Sequence, residues 1–219
     1  MPDNTLRIRW RTTLLAARAT GPSPDPDPAP DPAPYGENLL TRWAEPQRRY
    51  HTTAHLTAVL NHIDVLEQYA DDPDLVRLAA WFHDAVYLPD RSENEERSAR
   101  LAERALLEAG LTGEATAEVA RLVRLTVTHA PEAGDANGAV LCDADLAILA
   151  AAPQAYAAYA ASVREEYAFV PDEAFRSGRT AVLRQLLALP RLFHTPYGER
   201  EWETPGRENL EAELALLTA

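Results

Sequence analysis

Apolar residues recur along this chain with the spacing of an α-helix. Leu39, Leu40 and Trp43 fall on one face, and Leu56, Val59, Leu60, Ile63 and Leu66 on another. Helices are therefore expected over residues 6 to 20, from Tyr35 to Trp43, and from about Gln47 to Tyr69. The pattern continues over Asp74–Phe82, Glu93–Ala109 with Gly110 as its stop, Glu114–His129, and Leu141–Ala150. Three more helices are expected over Pro153–Phe169, Pro171–Leu189 and Arg207–Leu217, with Pro190–Pro205 as a long connection. No strand pair and no internal repeat stands out. The expected fold class is all-α, a single bundle of about eight to ten helices.

One stretch breaks the pattern. GPSPDPDPAPDPAP, residues 21–34, has proline at nearly every second position, which removes backbone donors and favours an extended chain. It reads as a loop or linker between an N-terminal helix, residues 1–20, and a helical domain, residues 35–219. A ligand for a proline-binding partner is the other reading of its composition.

Charge narrows the function. A formal net charge of -13 over 219 residues argues against a nucleic-acid polymer as partner, because affinity for phosphate backbones comes from Lys and Arg. A small phosphorylated substrate stays open, since a metal ion can supply positive charge locally. The single cysteine, Cys142, allows neither an internal disulfide nor a Cys-based zinc cluster, which fits a reducing cytoplasm. No apolar run reaches the roughly 18 residues of a membrane span, and the charged N-terminus does not read as a secretory signal. A membrane partner is therefore not expected, and assembly as a homodimer stays open.

Chemistry concentrates in three places. WFHDAVY puts His83 and Asp84 at the end of an apolar helix. Such a pair either caps the helix end or turns back so that both side chains reach one centre. In RRYHTTAHL, His51 and His55 share a helical face, as a surface stripe or as half of a ligand set. LCDADLAILA embeds Asp143 and Asp145 among apolar residues, where a carboxylate needs a partner or a metal. An N-capping role suits Asp143 better than Asp145.

A histidine, a His-Asp doublet and a distal aspartate, each on a different helix, resemble the signature of the HD superfamily of metal-dependent phosphohydrolases. The strings RRYHTTAH, WFHDAVY, NEERSA, DADLAIL and VREEYAFVPDEAFRSGR look like one branch of predicted HD phosphohydrolases. The resemblance spans roughly residues 35 to 217 and implies an HD-type helical bundle. It implies metal ligation by His55, His83, Asp84 and Asp145, with Asp143 in reserve. His55, followed by Val59 four residues later, fits the family's first histidine better than His51. His51 and Arg179 are then substrate-phosphate contacts, although Arg179 could equally form a structural ion pair with Glu166.

Two imidazoles and two carboxylates suit Mn, Fe, Co, Ni or Zn better than Mg. The implied reaction is attack of a metal-activated water on the phosphate ester of a small molecule, a nucleotide first of all. Glu95, Glu96 or His129 would orient or deprotonate that water. Glu95 and Glu96 can instead simply favour the N-terminus of the helix they begin. The alternatives are an HD-type di-iron oxygenase, which needs about four histidines, and a non-catalytic HD module that senses nucleotides.

Overall fold

The computed structural model describes residues 2–19 and 29–218. Among them the chain is all-α, with eleven helices and no strand. In order these are α1 (Pro2–Ala19), α2 (Ala33–Trp43), α3 (Thr53–Leu66), α4 (Pro73–Phe82), α5 (Asn94–Glu108) and α6 (Gly113–Leu125). After them come α7 (Ala136–Leu146), α8 (Pro153–Glu166), α9 (Asp172–Leu187), α10 (Pro196–Glu201) and α11 (Glu203–Thr218). Short 3-10 turns extend α3 over Glu67–Tyr69 and α7 over Ala147–Ala150. Most of the expected proline-rich loop, residues 21–28, lies outside the described residues, and its last two residues belong to α2.

Helix α4 is the centre of the bundle. Asp72 caps it, accepting from the Asp74 and Leu75 amides, and Pro73 opens it. Val76, Leu78, Ala79, Ala80, Trp81 and Phe82 are all fully buried. Only Asp74 and Arg77 give it a polar edge, and α1, α3, α5, α6 and α7 pack against the rest. Trp10 of α1 packs edge-on against both Trp81 and Phe82. The N-terminal helix is thus part of the main apolar core rather than an appendage to it. A second apolar cluster, with Leu149, Tyr156, Leu183, Phe193 and Leu210, joins the C-terminal helices.

Four expected elements are bounded differently. The helix expected from Gln47 begins only at Thr53, because the Thr52 hydroxyl caps it by accepting from the Ala54 amide. His51 therefore sits in the preceding turn and not on the His55 helix. The helix expected to reach His129 stops at Leu125, where the β-branched Thr126-Val127-Thr128 run weakens it. Helix α7 starts five residues before the expected Leu141, capped by Asp135, whose carboxylate accepts from the Gly138 amide at 2.8 Å. Asp143 is consequently not an N-cap but lies mid-helix. The expected long connection after Pro190 contains α10 and the start of α11.

Gly36 marks where α2 crosses α1. A Cβ there would lie 2.5 Å from Trp10 Cδ1, and the Trp10 ring is pinned by its Nε1–H donating to Pro32 O at 2.8 Å. Gly36→Ala is expected to cost about 1–3 kcal/mol by overpacking. Gly178, mid-helix in α9 with nothing within 4 Å of its would-be Cβ, is the control. Gly178→Ala is expected to gain about 0.5–1 kcal/mol. Urea denaturation of both variants measures the two signs.

Candidate metal centre

Because the last turns of α4, Leu78 to Phe82, are fully buried, the residues that follow are delivered to the interior. His83 caps its C-terminus, and His83 Nδ1–H donates to Ala80 O at 2.8 Å. That bond ties down Nδ1, so Nε2 is the nitrogen that faces the other side chains. The carboxyl end of a helix also favours positive charge. His55 arrives from α3, and Asp145 from the last turn of α7.

These three side chains converge. His55, His83 and Asp145 each present one donor atom, all within 4.8 Å of one another. Asp145 Oδ1 is 3.1 Å from His55 Nε2 and 3.4 Å from His83 Nε2. Asp84 adds Oδ2 at 3.2 Å from His83 Nε2. Yet neither ring nitrogen has a hydrogen bond, because the carboxylate oxygens lie off the direction an N–H would take. Two buried imidazole nitrogens without partners are costly. A divalent cation between them and the carboxylates removes that cost, so the donor set fits a metal.

Further groups line the same cavity of about 270 Å³: His51, Tyr87, Glu95, His129 and Tyr167 among them. His129 stands at φ 48°, a left-handed conformation unusual for a residue with a side chain. From there an imidazole N–H donates to Asp145 Oδ2 at 2.8 Å. His51 is positioned by Glu166, which the sequence reading treated only as a candidate partner of Arg179. Glu166 Oε1 accepts from the amides of Arg49, Tyr50 and His51 at 2.8–2.9 Å. Its Oε2 meets His51 Nδ1 at 2.7 Å and the Tyr87 hydroxyl at 3.1 Å. One sequence signal pointed to it: an acid in the last turn of α8 opposes the helix dipole and so needs partners elsewhere.

Three expected residues are engaged elsewhere. Glu96 turns away from the cavity and is held by Arg100 and Arg124 at 2.8 and 2.6 Å, which lowers its pKa to about 2. A carboxylate so stabilised is a poor base. Neighbouring Glu95 faces the cavity instead. Arg179 is gripped in bidentate fashion by Glu213 at 2.7 and 2.9 Å, with little exposure, so it is not free for substrate phosphate. Its partner is Glu213, not the Glu166 weighed from the sequence. Asp143, the reserve ligand, points the other way and accepts from the amides of His194 and Thr195 and from the Thr195 hydroxyl.

Electrostatics follow the geometry. Burial lowers the pKa of His55, towards the neutral ring that a metal needs. Burial also opposes charge on His83, but the nearby Asp84 and Asp145 carboxylates outweigh it and raise its pKa well above normal. Burial works against the carboxylate form of Asp145 and Asp84 too, and the histidine cluster, His83 first, outweighs it and holds both below the usual carboxylate range. Glu166 is held at about 2 in the same way, its burial outweighed by the His51 and backbone bonds.

No protein-family model, curated protein or solved structure matches the chain. The arrangement is therefore judged on its own atoms.

Metal uptake here must displace the proton that the carboxylates hold on His83. Below the raised His83 pKa, each unit of lower pH is expected to weaken Mn²⁺ or Zn²⁺ binding about tenfold, with a proton released on binding. Calorimetry in buffers of different ionisation enthalpy measures both; affinity that is flat with pH counts against the cluster. The left-handed backbone at residue 129 gives a second expectation. His129→Gly and His129→Ala both lose the ring, but only alanine keeps a Cβ in that conformation. The glycine variant should be the more stable by about 1 kcal/mol in thermal unfolding.

Proposed function

We propose that this protein is a metal-dependent phosphohydrolase acting on a small phosphorylated molecule, a nucleotide first of all. One observation carries the reading. Two buried imidazole nitrogens without hydrogen bonds and the Asp145 carboxylate, brought in by three different helices, face one point. The HD-like order of His55, His83-Asp84 and Asp145 in the sequence supports the same reading.

In this reading His55, His83, Asp84 and Asp145 hold a divalent transition ion. When bound, such an ion lowers the pKa of a water and polarises a phosphoryl oxygen. The chain's own groups do the rest. Glu95, in the cavity and free of the arginine clamp that holds Glu96, accepts the proton of the attacking water. His129 keeps the Asp145 carboxylate in place through Oδ2, leaving Oδ1 towards His55 and His83. His51, anchored on its Nδ1 side by Glu166, directs Nε2 towards the cavity, where it can contact a phosphoryl oxygen. Burial of the cluster excludes bulk water and strengthens each of these interactions.

A second reading has its own observation. His51, His55, His83 and His129 all line the cavity, with Asp84 and Asp145 among them. Four histidines and two acids match the about four histidines and bridging acids that an HD-type di-iron oxygenase needs. The same protein preparation separates the two. Metal content is measured first, then phosphate release from a nucleotide panel under Mn²⁺, Co²⁺ or Ni²⁺, and O₂ uptake under Fe²⁺. The expected result is bound metal, phosphate release, and loss of at least 100-fold in Asp145→Ala. Iron-dependent O₂ uptake without phosphate release overturns the hydrolase reading, and full activity in Asp145→Ala overturns the site.

A further inference from the structure

A second cavity shares Tyr50, His55, Asp145, Ile148 and Tyr159 with the metal-facing one. It holds about 320 Å³, at the small end of the roughly 300–1,000 Å³ of ligand pockets. Helices α3 and α8 face each other across it. Along α3 it is lined by Ala54, His55, Ala58 and His62, and along α8 by Ala155, Ala158 and Ser162. The small side chains Ala54, Ala58, Ala155, Ala158 and Ser162 leave room for a trough between the two helices, with Val59 and Tyr159 also lining it. His55 and Asp145, two of the three converging ligands, form part of its floor. His55 is 6% exposed, and its Nε2, without a well-aligned hydrogen bond, lies 3.1 Å from Asp145 Oδ1, so the trough borders the cluster itself.

The walls are suited to a flat ring. Tyr50 and Tyr159 meet edge to face at 4.6 Å between centroids, and Ile148 lies beside them. Apart from Asp145, the trough is lined by no carboxylate. His62 is the polar group at its far end, seven residues or about 10 Å along α3 from His55. His62 Nδ1–H donates to Ala144 O at 3.2 Å, which leaves Nε2 as an acceptor. Burial also lowers the His62 pKa and keeps the ring neutral. At the other end, Arg49 donates to the Pro46 and Arg48 carbonyls and adds a positive rim.

We propose that the trough between α3 and α8 is the subsite for the organic group of the phosphate ester, that it takes a nucleoside-sized ring system, and that His62 accepts a hydrogen bond from a ring N–H or hydroxyl. The proposal rests on the phosphohydrolase reading of the neighbouring cluster. A wider groove of about 600 Å³ lies on the other side of His129. It is the poorer choice, because His129 stands between it and Asp145, whereas the trough contacts His55 and Asp145 directly.

Equilibrium binding to the Mn²⁺-loaded full chain tests this with three probes: inorganic phosphate, deoxyadenosine monophosphate and deoxyadenosine. The monophosphate should bind at least 10-fold more tightly than inorganic phosphate, the extra affinity coming from the ring. Ala158→Phe, on the open wall, should weaken the monophosphate and deoxyadenosine at least 10-fold more than it weakens inorganic phosphate. His62→Phe should weaken both ring-bearing probes about 10-fold, and His62→Gln, which restores an acceptor, should recover part of that. Monophosphate binding that is no tighter than phosphate, or that is indifferent to Ala158→Phe, overturns the trough. Deoxyadenosine carries no phosphate, so its sensitivity to Ala158→Phe reports on the trough alone. Absence of metal-dependent phosphate binding overturns the hydrolase reading separately.

Discussion

An apolar helix face has to be buried, and in α4 the run from Leu78 to Phe82 carries that requirement to its last residue. The cost of exposing Trp81 or Phe82 is what puts His83 and Asp84 in the interior, where polar groups are expensive unless satisfied. The rest of the centre answers that demand. Ala80 O takes one ring nitrogen of His83, and Asp84, Asp145 and His55 gather around the other. The core and the candidate chemistry are thus one problem with one solution.

Glu166 plays a comparable part on the opposite wall. A single buried carboxylate collects three successive amides, an imidazole and a phenol, which nearly fills the acceptor capacity of its two oxygens. It satisfies amides that sit just before the first turn of α3 and have no helical carbonyl to bond. The turn it creates is what brings the His51 ring up to the cavity. Arg48, wedged between the Trp43 and Tyr87 rings and donating to His51 O, holds the same turn from the other side.

Much of this was legible in the sequence, and the limits have physical causes. Helices α4 and α5 follow from local signals: a cap, a heptad-like apolar face, and Gly110 in a left-handed conformation as a stop. The burial of Asp145 follows from its apolar neighbours. What escaped depends on pairing across the chain. The break before Thr53 depends in part on Glu166, which is more than a hundred residues away. Glu95 and Glu96 are adjacent on one helix and point about 100° apart, and Glu96 is tied up by the local Arg100 and by Arg124, 28 residues away. Asp143 and Asp145 have the same local composition, and a helix start hidden in a loop-like stretch at Asp135 sets which one faces the cluster.

The two apolar clusters divide the labour around this centre. Helices α3, α4 and α7, which supply His55, His83 and Asp145, belong to the main core, whereas α8, with Tyr159 and Glu166, belongs to the second. The atoms that converge on one point and the tyrosine-lined wall beside them are thus carried by different stretches of chain, stitched together by the Asp143 bonds to His194 and Thr195 and by the Glu166 bonds to the His51 turn.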